Sequence, residues 1–366
     1  MRMPVSARER TRFRRTAEQG RGARSRGVLA VAALLCVAVV SAGCADKHDD
    51  ASTIIRTTTN IAGAGVVGAD RDTATACPLP SAPDPAQGAT RTVTHAAGTS
   101  QVPADPQRIV VLTSSALDAA CAVGLWERVA GAVTLDGPRP QPMYLGYGVL
   151  EVPSVGPIGQ PDPARIAELK PDLILGDVAP AAGGYEALSA IAPTVLIGSG
   201  GSWQSDFAAY AAGMGRDGAA DVALQSYLSE ARDLGAALNA NQSQASVLRF
   251  TADTTQAQGT ETFAAQILSD VGVQRPTAQR GTSFDIATGE LADKAEGDII
   301  YVMFAGEAGE EHGRKVLRSD EFEELGAAMD RRVFAVDDAI WHTTGLTAAR
   351  AVLTDLRNSL NGYVTD

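Results

Sequence analysis

The feature that most constrains the fold is a strand–helix alternation that occurs twice, on either side of one long amphipathic segment. Before that segment, apolar runs typical of buried strands, such as RIVVL at 108–112 and DLILG at 172–176, alternate with helical patterns. After it, VLRF at 247–250 and DIIYVMF at 298–304 alternate with helical patterns in the same way. Such alternation is typical of mostly parallel sheets covered by helices. We therefore predict an α/β fold with two Rossmann-like lobes.

The long segment is predicted to be one helix, from Asp217 to about Asn239. About 22 residues at 1.5 Å each span about 33 Å, which is long enough to cross from one lobe to the other. Bending this helix would break its backbone hydrogen bonds, so we expect a rigid bridge, a ligand cleft between the lobes and little closure. The apolar residues of the segment share one helix face, and they are Leu224, Tyr227, Leu228, Ala231, Leu234 and Leu238.

The first 43 residues have the pattern of an export signal. They contain nine Arg residues, then the uncharged run GVLAVAALLCVAVV, and then SAGC at 41–44. A basic region, a short apolar region and small residues before a cleavage point are typical of such signals, and the apolar run is short for a membrane span. The ending is similar to a bacterial lipobox, except that Ser41 stands where Leu is usual. We therefore predict lipidation at Cys44, with ordinary secretion as the alternative.

These patterns divide the chain into five predicted parts. The stretch after the signal is rich in Thr, Ala, Gly and Asp and shows little periodicity, which is typical of a tether. The parts are a lipoprotein signal peptide at 1–43, a tether and irregular N-terminal segment at 44–90, an N-terminal α/β lobe at 91–202, an inter-lobe helical segment at 203–241 and a C-terminal α/β lobe at 242–366.

The charge of the chain without its signal argues against one class of partner. The signal carries nine of the 31 basic residues and two of the 43 acidic residues, which leaves 22 against 41 and a net charge of −19. Nucleic-acid-binding domains need a basic surface, so we expect no nucleic acid partner. The charge is compatible with an exported domain that a lipid holds to the extracytoplasmic face of the cell membrane.

Two of the four cysteines remain for the folded part. Cys36 lies in the signal and Cys44 is the predicted lipid site, which leaves Cys77 and Cys121. In an oxidising compartment two such residues commonly form a disulfide. The alternative is that Cys121, which lies in a helical pattern, is a buried small apolar residue.

Four stretches, taken in order, resemble one protein family. They are RIVVLTSSALDAACAVGLWERVAGAV at 108–133, VGPIGQPDPARIAELKPDLILG at 155–176, IAPTVLIG at 191–198 and GLTAARAVLTDL at 345–356. Together they resemble the periplasmic siderophore-binding proteins of bacterial iron importers, and ARIAELKPDLIL is the most specific piece. These substrate-binding components of ABC transporters share a rigid helical backbone between two lobes, and the group includes cobalamin and haem binders.

The resemblance implies a binding protein and not an enzyme. The expected function is capture of a ferric siderophore or a similar iron chelate for import, by a monomer without a cofactor apart from this ligand. Haem or cobalamin binding is one alternative, and an envelope interaction protein without conventional permease docking is another. For an α/β enzyme, the further alternative, we find no G-x-S-x-G motif, phosphate-binding loop or His-rich metal pattern in the chain.

A Gly/Pro-rich loop at 156–163 is the first candidate for a wall of the cleft, and its positions Gly159 and Gln160 are the expected contacts. In parallel α/β sheets, ligands bind beyond the carboxyl ends of the strands, where such loops emerge. Rigid turns also reduce the freedom that is lost on binding. The alternative is a structural turn without ligand contact.

The implied ligand is a bulky, oxygen-rich ferric chelate. It calls for Arg side chains and aromatic rings, since the chelator already fills the coordination shell of the iron. Hydroxyl and backbone N–H groups at the start of a helix can also meet an anion, although helix capping explains them equally well. For the tyrosines of the loop after the second strand, the alternative is packing on the lobe. The candidates in the N-terminal lobe are Thr113, Ser114, Ser115, Arg139, Tyr144 and Tyr147.

In the remaining chain the candidates lie in or after predicted strands. Arg249 lies inside VLRF, and an Arg in a core strand needs either an ionic partner or an open cleft. Trp203 begins the inter-lobe segment. Trp341 follows the strand RVFAV, and its alternative role is that of a buried anchor. The other candidates, expected at the same edge of the sheet, are Asp253, Arg280, Ser283, Phe284 and Phe304.

Histidine is scarce. A zinc- or manganese-binding relative needs several His and carboxylate side chains together, so we expect no metal site. Haem needs only one axial Tyr or His, which Tyr144, Tyr147 or His342 could provide. The four histidines of the chain are His48, His95, His312 and His342.

Importers of the resembling family dock on their permease through one acidic residue on each lobe. Glu290 falls at the expected place in the C-terminal lobe, although an acid in the first turn of any helix is favoured by the helix dipole. In the N-terminal lobe Ala164 stands where the family has Glu, and Asp162 and Glu168 lie out of register. An ABC permease is therefore an expected partner whose docking is in doubt at Ala164.

Overall fold

The structure, a computed structural model, describes residues 56–180 and 184–365. Its strands are β1 (Arg56–Thr57), β2 (Asn60–Ile61), β3 (Ala64–Val66), β4 (Thr90–His95), β5 (Gly98–Pro103), β6 (Ile109–Val111), β7 (Val129–Thr134), β8 (Ser154–Pro157), β9 (Leu173–Gly176), β10 (Thr194–Leu196), β11 (Ala245–Phe250), β12 (Thr255–Ala257), β13 (Phe284–Ile286), β14 (Ile299–Phe304), β15 (Val333–Ala335) and β16 (Tyr363–Val364).

Its α-helices are α1 (Ser114–Ala122), α2 (Pro163–Glu168), α3 (Gly184–Ser189), α4 (Trp203–Met214), α5 (Asp217–Leu238), α6 (Phe263–Val271), α7 (Leu291–Lys294), α8 (Gly306–Leu317), α9 (Asp320–Glu323), α10 (Gly326–Met329), α11 (Asp338–Trp341) and α12 (Leu346–Arg357). Short 3-10 helices lie at Trp126–Arg128, Met143–Leu145, Tyr147–Glu151, Ala240–Gln242 and Thr277–Gln279.

Five parallel strands form the sheet of the N-terminal lobe, in the order β10-β9-β6-β7-β8. The strands Ile109–Val111 and Leu173–Gly176 are continuous apolar runs, and every residue in them is buried. Such runs are typical of a parallel sheet that is covered on both faces. The predicted strand RTVTHA forms a separate hairpin, β4 with β5, which packs beside β10.

Seven strands form the sheet of the C-terminal lobe, in the order β13-β12-β11-β14-β15-β3-β2. The strands β11, β14, β15 and β3 are parallel to one another. The strands β12, β13 and β2 run antiparallel to their neighbours at the two edges. The predicted α/β class with two lobes is confirmed.

The N-terminal segment differs from the prediction. Residues 56–66, which we expected in the tether, form β1, β2 and β3, and β3 pairs with β15 in the C-terminal sheet. β1 pairs in parallel with β16, close to the other end of the chain. These strands are two or three residues long, which is too short for a strand pattern to appear. Their partners are distant in sequence, so the local pattern could not reveal them.

The bridging helix α5 runs from Asp217 to Leu238, close to the bounds that the apolar spacing predicts. The carboxylate of Asp84 caps its N-terminus, because it accepts hydrogen bonds from the backbone N–H groups of Asp217 and Gly218 at 2.6 and 3.0 Å. The residues that the helix buries are Ala220, Tyr227, Ala231, Leu234, Gly235 and Leu238.

One hydrophobic cluster runs through both lobes. It contains Val111 and Leu117 of the N-terminal lobe, Tyr227 of α5, and Val247 and Tyr301 of the C-terminal sheet. Protein interiors are closely packed, so a rotation of one lobe against the other would open this cluster. The shared cluster therefore supports the expectation of a rigid arrangement.

A disulfide between Cys77 and Cys121 ties the N-terminal segment to α1. Within the described residues no helix has the length and apolarity that a bilayer crossing requires. The predicted signal peptide and Cys44 lie outside the described residues.

Candidate functional site

The carboxyl ends of the parallel strands form one edge of each sheet, and a side-chain contact joins the two edges. Ser115, which follows β6, hydrogen-bonds to Thr344, which follows β15, with 2.6 Å between the hydroxyl oxygens. The two residues are 229 positions apart in the chain. Ligands of parallel α/β proteins bind beyond the carboxyl ends of the strands. We therefore take the place where the two edges meet as the candidate site.

Three residues with hydroxyl side chains lie at the candidate site on the side of the N-terminal lobe. Thr113 caps α1, because its Oγ1 accepts from the backbone N–H of Ala116, and the same atom lies 3.1 Å from the Tyr210 hydroxyl. Ser114 and Ser115 are partly exposed. Thr113 thus serves as the cap of α1, whereas the side chains of Ser114 and Ser115 remain partly exposed at the edge.

Two loops reach the same edge from β7 and β8. Arg139 is exposed, and within the described residues it makes no hydrogen bond or ion pair. Gly159 and Gln160 are exposed in the turn after β8. Gly159 has a φ of +76°, a conformation that favours glycine. This part of the edge is exposed to solvent.

Two apolar residues at this edge were not among the sequence candidates. Ile158 directly follows β8 and Val178 lies two residues past β9, and their exposed fractions are 47% and 52%. Ligand pockets are lined largely by apolar side chains, so exposed apolar groups at strand ends suit the carbon skeleton of a ligand. The sequence signal that could have indicated Ile158 and Val178 is an isolated apolar residue just past the end of a predicted strand.

Arg249 forms the wall on the C-terminal side together with an acidic partner. Its Nε and Nη2 atoms donate to the two carboxylate oxygens of Asp338 at 2.6 and 3.0 Å. Arg249 is next to last in β11 and Asp338 begins α11 after β15, so both lie at the carboxyl edge. The bidentate pair fixes the plane of the guanidinium. Within the described residues Nη1 makes no hydrogen bond or ion pair.

Further side chains lie beside this pair. Partial burial, together with the positive charge of Arg249, lowers the pKa of His342, so the ring is neutral at neutral pH. Phe304 ends β14, is half-buried and stacks on Phe250 with 5.7 Å between ring centres. Asp253 is exposed in the turn after β11. The edge therefore combines a charged pair, a neutral imidazole and an aromatic ring.

Both tryptophan candidates are buried, and each joins elements of the core. Trp203 is 2% exposed and packs edge-to-face on Tyr227 of α5 with 5.0 Å between ring centres. Trp341 donates from Nε1 to Asp355 of α12 at 2.8 Å and packs on Tyr301 at 4.6 Å. Direct ligand contact needs exposed surface, so the geometry favours the buried-anchor alternative for Trp341. Trp203 occupies a similar position between helices.

Of the two tyrosines of the loop after β7, Tyr144 is buried where the two lobes meet, and Tyr147 does not reach the carboxyl edge. Tyr144 is 4% exposed, and its hydroxyl lies beside the Asp118 carboxylate and the Thr343 side chain. Tyr147 is 73% exposed and lies beside Trp126, which precedes β7. Since β8 is parallel to β7, the loop must return to the amino end of the sheet before β8 begins. This return carries Tyr147 to the opposite edge.

A strand reversal separates three further candidates from Arg249. β12 runs antiparallel to β11 and ends at Ala257, so the chain that follows lies toward the amino end of β11. There Ser283 donates to the Glu261 carboxylate at 2.6 Å, and Phe284 follows it in β13. Arg280 lies just before them and is exposed. The structure does not bring these residues to the carboxyl edge.

A cavity of about 740 Å³ lies away from this edge, between the N-terminal segment and one face of α12. Among the sequence candidates, Tyr144 lines it. The guanidinium of Arg71 at its wall is already held by Asp355 at 2.6 Å. We place the candidate site at the carboxyl edges, because the Ser115–Thr344 contact and the Arg249–Asp338 pair both lie there.

Of the haem-ligand candidates, His342 lies at the carboxyl edge. Tyr144 is buried and Tyr147 lies at the opposite edge of its sheet. Within residues 56–180 and 184–365, no three or more His, Cys, Asp or Glu side chains lie together so that they could hold a metal ion.

Comparison with known proteins identifies the family. The profile of a protein family described as periplasmic binding protein matches residues 109–340, which is more than half of the 366 residues. The chain belongs to the periplasmic binding protein family. The matched range runs from β6 to α11 and therefore includes the carboxyl edges of both sheets. The resemblance seen in the sequence is confirmed.

Two curated proteins are similar over most of the chain. One is the probable siderophore-binding lipoprotein YfiY of Bacillus subtilis, 31% identical over 283 residues that cover 73% of this chain and 86% of that protein. Another is the Fe(3+) dicitrate-binding periplasmic protein FecB of Escherichia coli, 28% identical over 72% of this chain and 88% of that protein.

Two solved structures share the fold. Staphylococcus aureus SirA complexed with staphyloferrin B superimposes with a TM-score of 0.62 at 25% identity, over 74% of this chain and 99% of that one. The petrobactin-binding protein YclQ from Bacillus subtilis has a TM-score of 0.61 at 23% identity, over 74% of this chain and 98% of that one.

The expected docking positions of this periplasmic binding protein are both at the surface. Glu290 and Ala164 are exposed. Glu290 directly precedes α7, and the helix is capped by Glu321, which accepts from the backbone N–H groups of Gly289 and Leu291 at 3.1 and 2.6 Å. Glu290 therefore has no capping task for its carboxylate, which stays available to a partner.

Proposed function

We propose that this periplasmic binding protein captures a ferric siderophore or a similar iron chelate at the joined carboxyl edges of its two lobes, for import through an ABC permease. The observation that carries the proposal is the Arg249–Asp338 pair at this edge, with Nη1 of Arg249 unpaired within the described residues. Two relatives support the ligand class, since their names refer to a siderophore and to ferric dicitrate. Both relatives are 28% or more identical over most of the chain.

The charged contact and the apolar contacts proposed for the ligand lie on different sides of this site. The Nη1 atom of Arg249 would donate to an anionic oxygen of the chelator, and hydrogen bonds of this charged kind are the stronger ones. Ile158 and Val178 on the opposite wall would cover the carbon skeleton. Ser114 and Ser115 add hydroxyl groups near the contact of the two edges. Because the chelator supplies the iron ligands, the iron is cargo.

Binding is best tested by calorimetric titration of the full chain with four separate probes: ferric citrate, a ferric hydroxamate, a ferric catecholate and haem. We expect at least one ferric chelate to bind. The variant Arg249→Met should then weaken binding about tenfold to a hundredfold, because a hydrogen bond to a charged group contributes about 1.5–3 kcal/mol. Arg232→Met on the exposed face of α5 is the matched control and should bind as the original protein does.

The outcome also separates the alternatives. Haem binding with a Soret shift, and no binding of any ferric chelate, would replace the proposed ligand by haem, for which His342 is the candidate at the edge. If Arg249→Met leaves the affinity for the chelate unchanged, the ligand binds away from the Arg249–Asp338 pair.

We further propose that the protein is a monomer held at the extracytoplasmic face of the membrane by lipid on Cys44. The names of two relatives support the anchor, because both are called lipoproteins. Incorporation of a labelled fatty acid into the full chain, lost in Cys44→Ser, is the expected result. A chain that takes up no label but is still exported would favour ordinary secretion.

A further inference from the structure

Residues 67–84, which we call the strap, run from the C-terminal sheet to the N-terminal lobe. The strap begins directly after β3, and the backbone N–H of Val67 donates to the carbonyl of Ala335 in β15 at 3.0 Å. Its first end is therefore fixed by the hydrogen bonds of the C-terminal sheet. The strap precedes residues 109–340, so it is not part of the fold that the family profile describes.

Arg71 gives the strap a second attachment to the C-terminal lobe. Its Nη2 donates to Asp355 of α12 at 2.6 Å, and its Nη1 donates to the carbonyl of Ala351 at 3.0 Å. The Asp355 side chain is fully buried and also accepts from Nε1 of Trp341. Removing one partner of a buried ion pair leaves an uncompensated charge, so this attachment resists release.

The far half of the strap is attached to the N-terminal lobe. Cys77 forms the disulfide with Cys121 of α1. Ser81 donates from its backbone N–H and from Oγ to the carbonyl of Val123 at 3.2 and 2.7 Å. Gly124 has a φ of +76° and lies against the backbone of the strap, where a Cβ would overlap the carbonyl of Leu79.

The strap ends at the bridging helix. Asp84 caps α5 through the backbone N–H groups of Asp217 and Gly218. The strap therefore contacts the C-terminal sheet, α12, α1 and the start of α5 in that order. From Arg71 to Cys77 the chain spans at most about 21 Å even when fully extended. A movement that separates the C-terminal sheet from α1 must stretch the chain between Val67 and Cys77 or release an attachment.

We propose that the strap is a second tie between the two lobes, which acts in parallel with α5 and holds the angle between the lobes fixed. The disulfide closes the tie covalently on the N-terminal side, and Arg71 closes it on the C-terminal side. In this arrangement the bridging helix and the shared core do not set the angle alone. The inference concerns the lobes and not the ligand, so it holds whether or not an iron chelate binds.

The test measures the spread of the distance between the lobes by pulsed dipolar spectroscopy of the full chain. Spin labels are attached through a keto amino acid placed at Glu168 of α2 and at Glu311 of α8, which are both exposed. This chemistry leaves the cysteines untouched. The first variant, Cys77→Ala with Cys121→Ala, removes the disulfide without a free thiol.

A second variant keeps the disulfide and slackens the strap. It inserts Gly-Ser-Gly-Ser after Thr75, between the Arg71 and Cys77 attachments, which adds up to about 13 Å of chain. The matched control inserts the same residues after Gly88, which is exposed between the strap and β4 and where an added Cβ would meet nothing within 4 Å. Circular dichroism checks that each variant is folded.

We expect a broader distance distribution in the slack variant and in the double alanine variant, and an unchanged distribution in the control. Equal widths in the slack variant and the original protein would overturn the proposal, since the angle would then be set by α5 and the shared core. Should the double alanine variant fail to fold, the slack variant decides the question, because its disulfide is intact.

Discussion

We expect that replacing Asp118 by Asn will change how the free energy of unfolding depends on pH. Asp118 lies on α1 of the N-terminal lobe and is fully buried, and it caps α12 of the C-terminal lobe. Its two carboxylate oxygens accept from the backbone N–H groups of Thr347 and Ala348 at 2.9 and 3.0 Å. Burial raises the pKa of Asp118 to about 6, although these hydrogen bonds favour the ionised form.

The sign of the effect follows from the direction of this shift. The pKa rises from 3.8 in the unfolded chain to about 6 in the folded protein, so the folded protein binds more protons between these values. The contribution to stability is therefore fully present below about pH 4 and is lost as the pH rises through about 6. A shift of about two pKa units corresponds to about 3 kcal/mol. Asn cannot titrate, so the variant lacks this pH-dependent contribution to stability.

The assay is urea unfolding of the original protein and of Asp118→Asn at a series of pH values from about 4 to about 7.5. The quantity of interest is the stability of the variant minus that of the original protein at each pH. Other titrating groups contribute equally to both proteins and cancel. We expect this difference to rise by roughly 2.5 kcal/mol in favour of the variant across the series.

A difference that stays constant with pH would refute the reasoning, because Asp118 would then ionise alike in the folded and unfolded states. A difference that falls with rising pH would mean that the N–H groups and the dipole at the start of α12 outweigh burial. Near-ultraviolet circular dichroism of both proteins at each pH checks that the native packing is retained.

Three further substitutions test the packing around the lobes. Removing the disulfide with Cys77→Ala and Cys121→Ala should lower the free energy of unfolding by about 4 kcal/mol, given the loop that a separation of 44 residues closes; a loss near zero in urea unfolding contradicts this. Gly345→Ala should be destabilising, because φ is +151° there and a Cβ would overlap the Asp118 carboxylate; an unchanged melting temperature would speak against that contact. Trp203→Ala should cost about 3–5 kcal/mol in the same assay, and Trp203→Phe, which keeps an aromatic ring, distinctly less; equal losses would show that ring packing is not the cause.

The two-lobed fold could be predicted because its signals are local. Buried parallel strands are continuous apolar runs, and the bridging helix places apolar residues at three-and-four spacing. The bounds of α5 therefore agree with the sequence to within about a residue at each end. The strands at 56–66 carry no such signal, because their pairing is set by β15 and β16.

The candidate site was harder to predict, because position along the chain does not determine where a side chain points. Trp341 follows a strand at the carboxyl edge, as expected, yet its ring turns inward to Asp355 and Tyr301. Tyr147 belongs to a loop that starts at the right edge, but the loop crosses to the other end before β8. From the sequence, Arg249 could either contact a ligand or form an ion pair. The structure pairs it with Asp338, 89 positions away, while Nη1 stays unpaired within the described residues.

A shared core has a consequence for how this protein distinguishes ligands. Because the lobes are packed on one cluster and joined through Ser115 and Thr344, we expect them to close little over a ligand. Discrimination must then come from side chains that are already in place. Asp338 serves this end, because its two bonds hold the guanidinium of Arg249 in one plane before a ligand arrives. An Arg side chain that is already ordered loses little conformational freedom when a ligand binds. The ion pair with Asp338 therefore holds Nη1 of Arg249 in a fixed position for contact with the ligand.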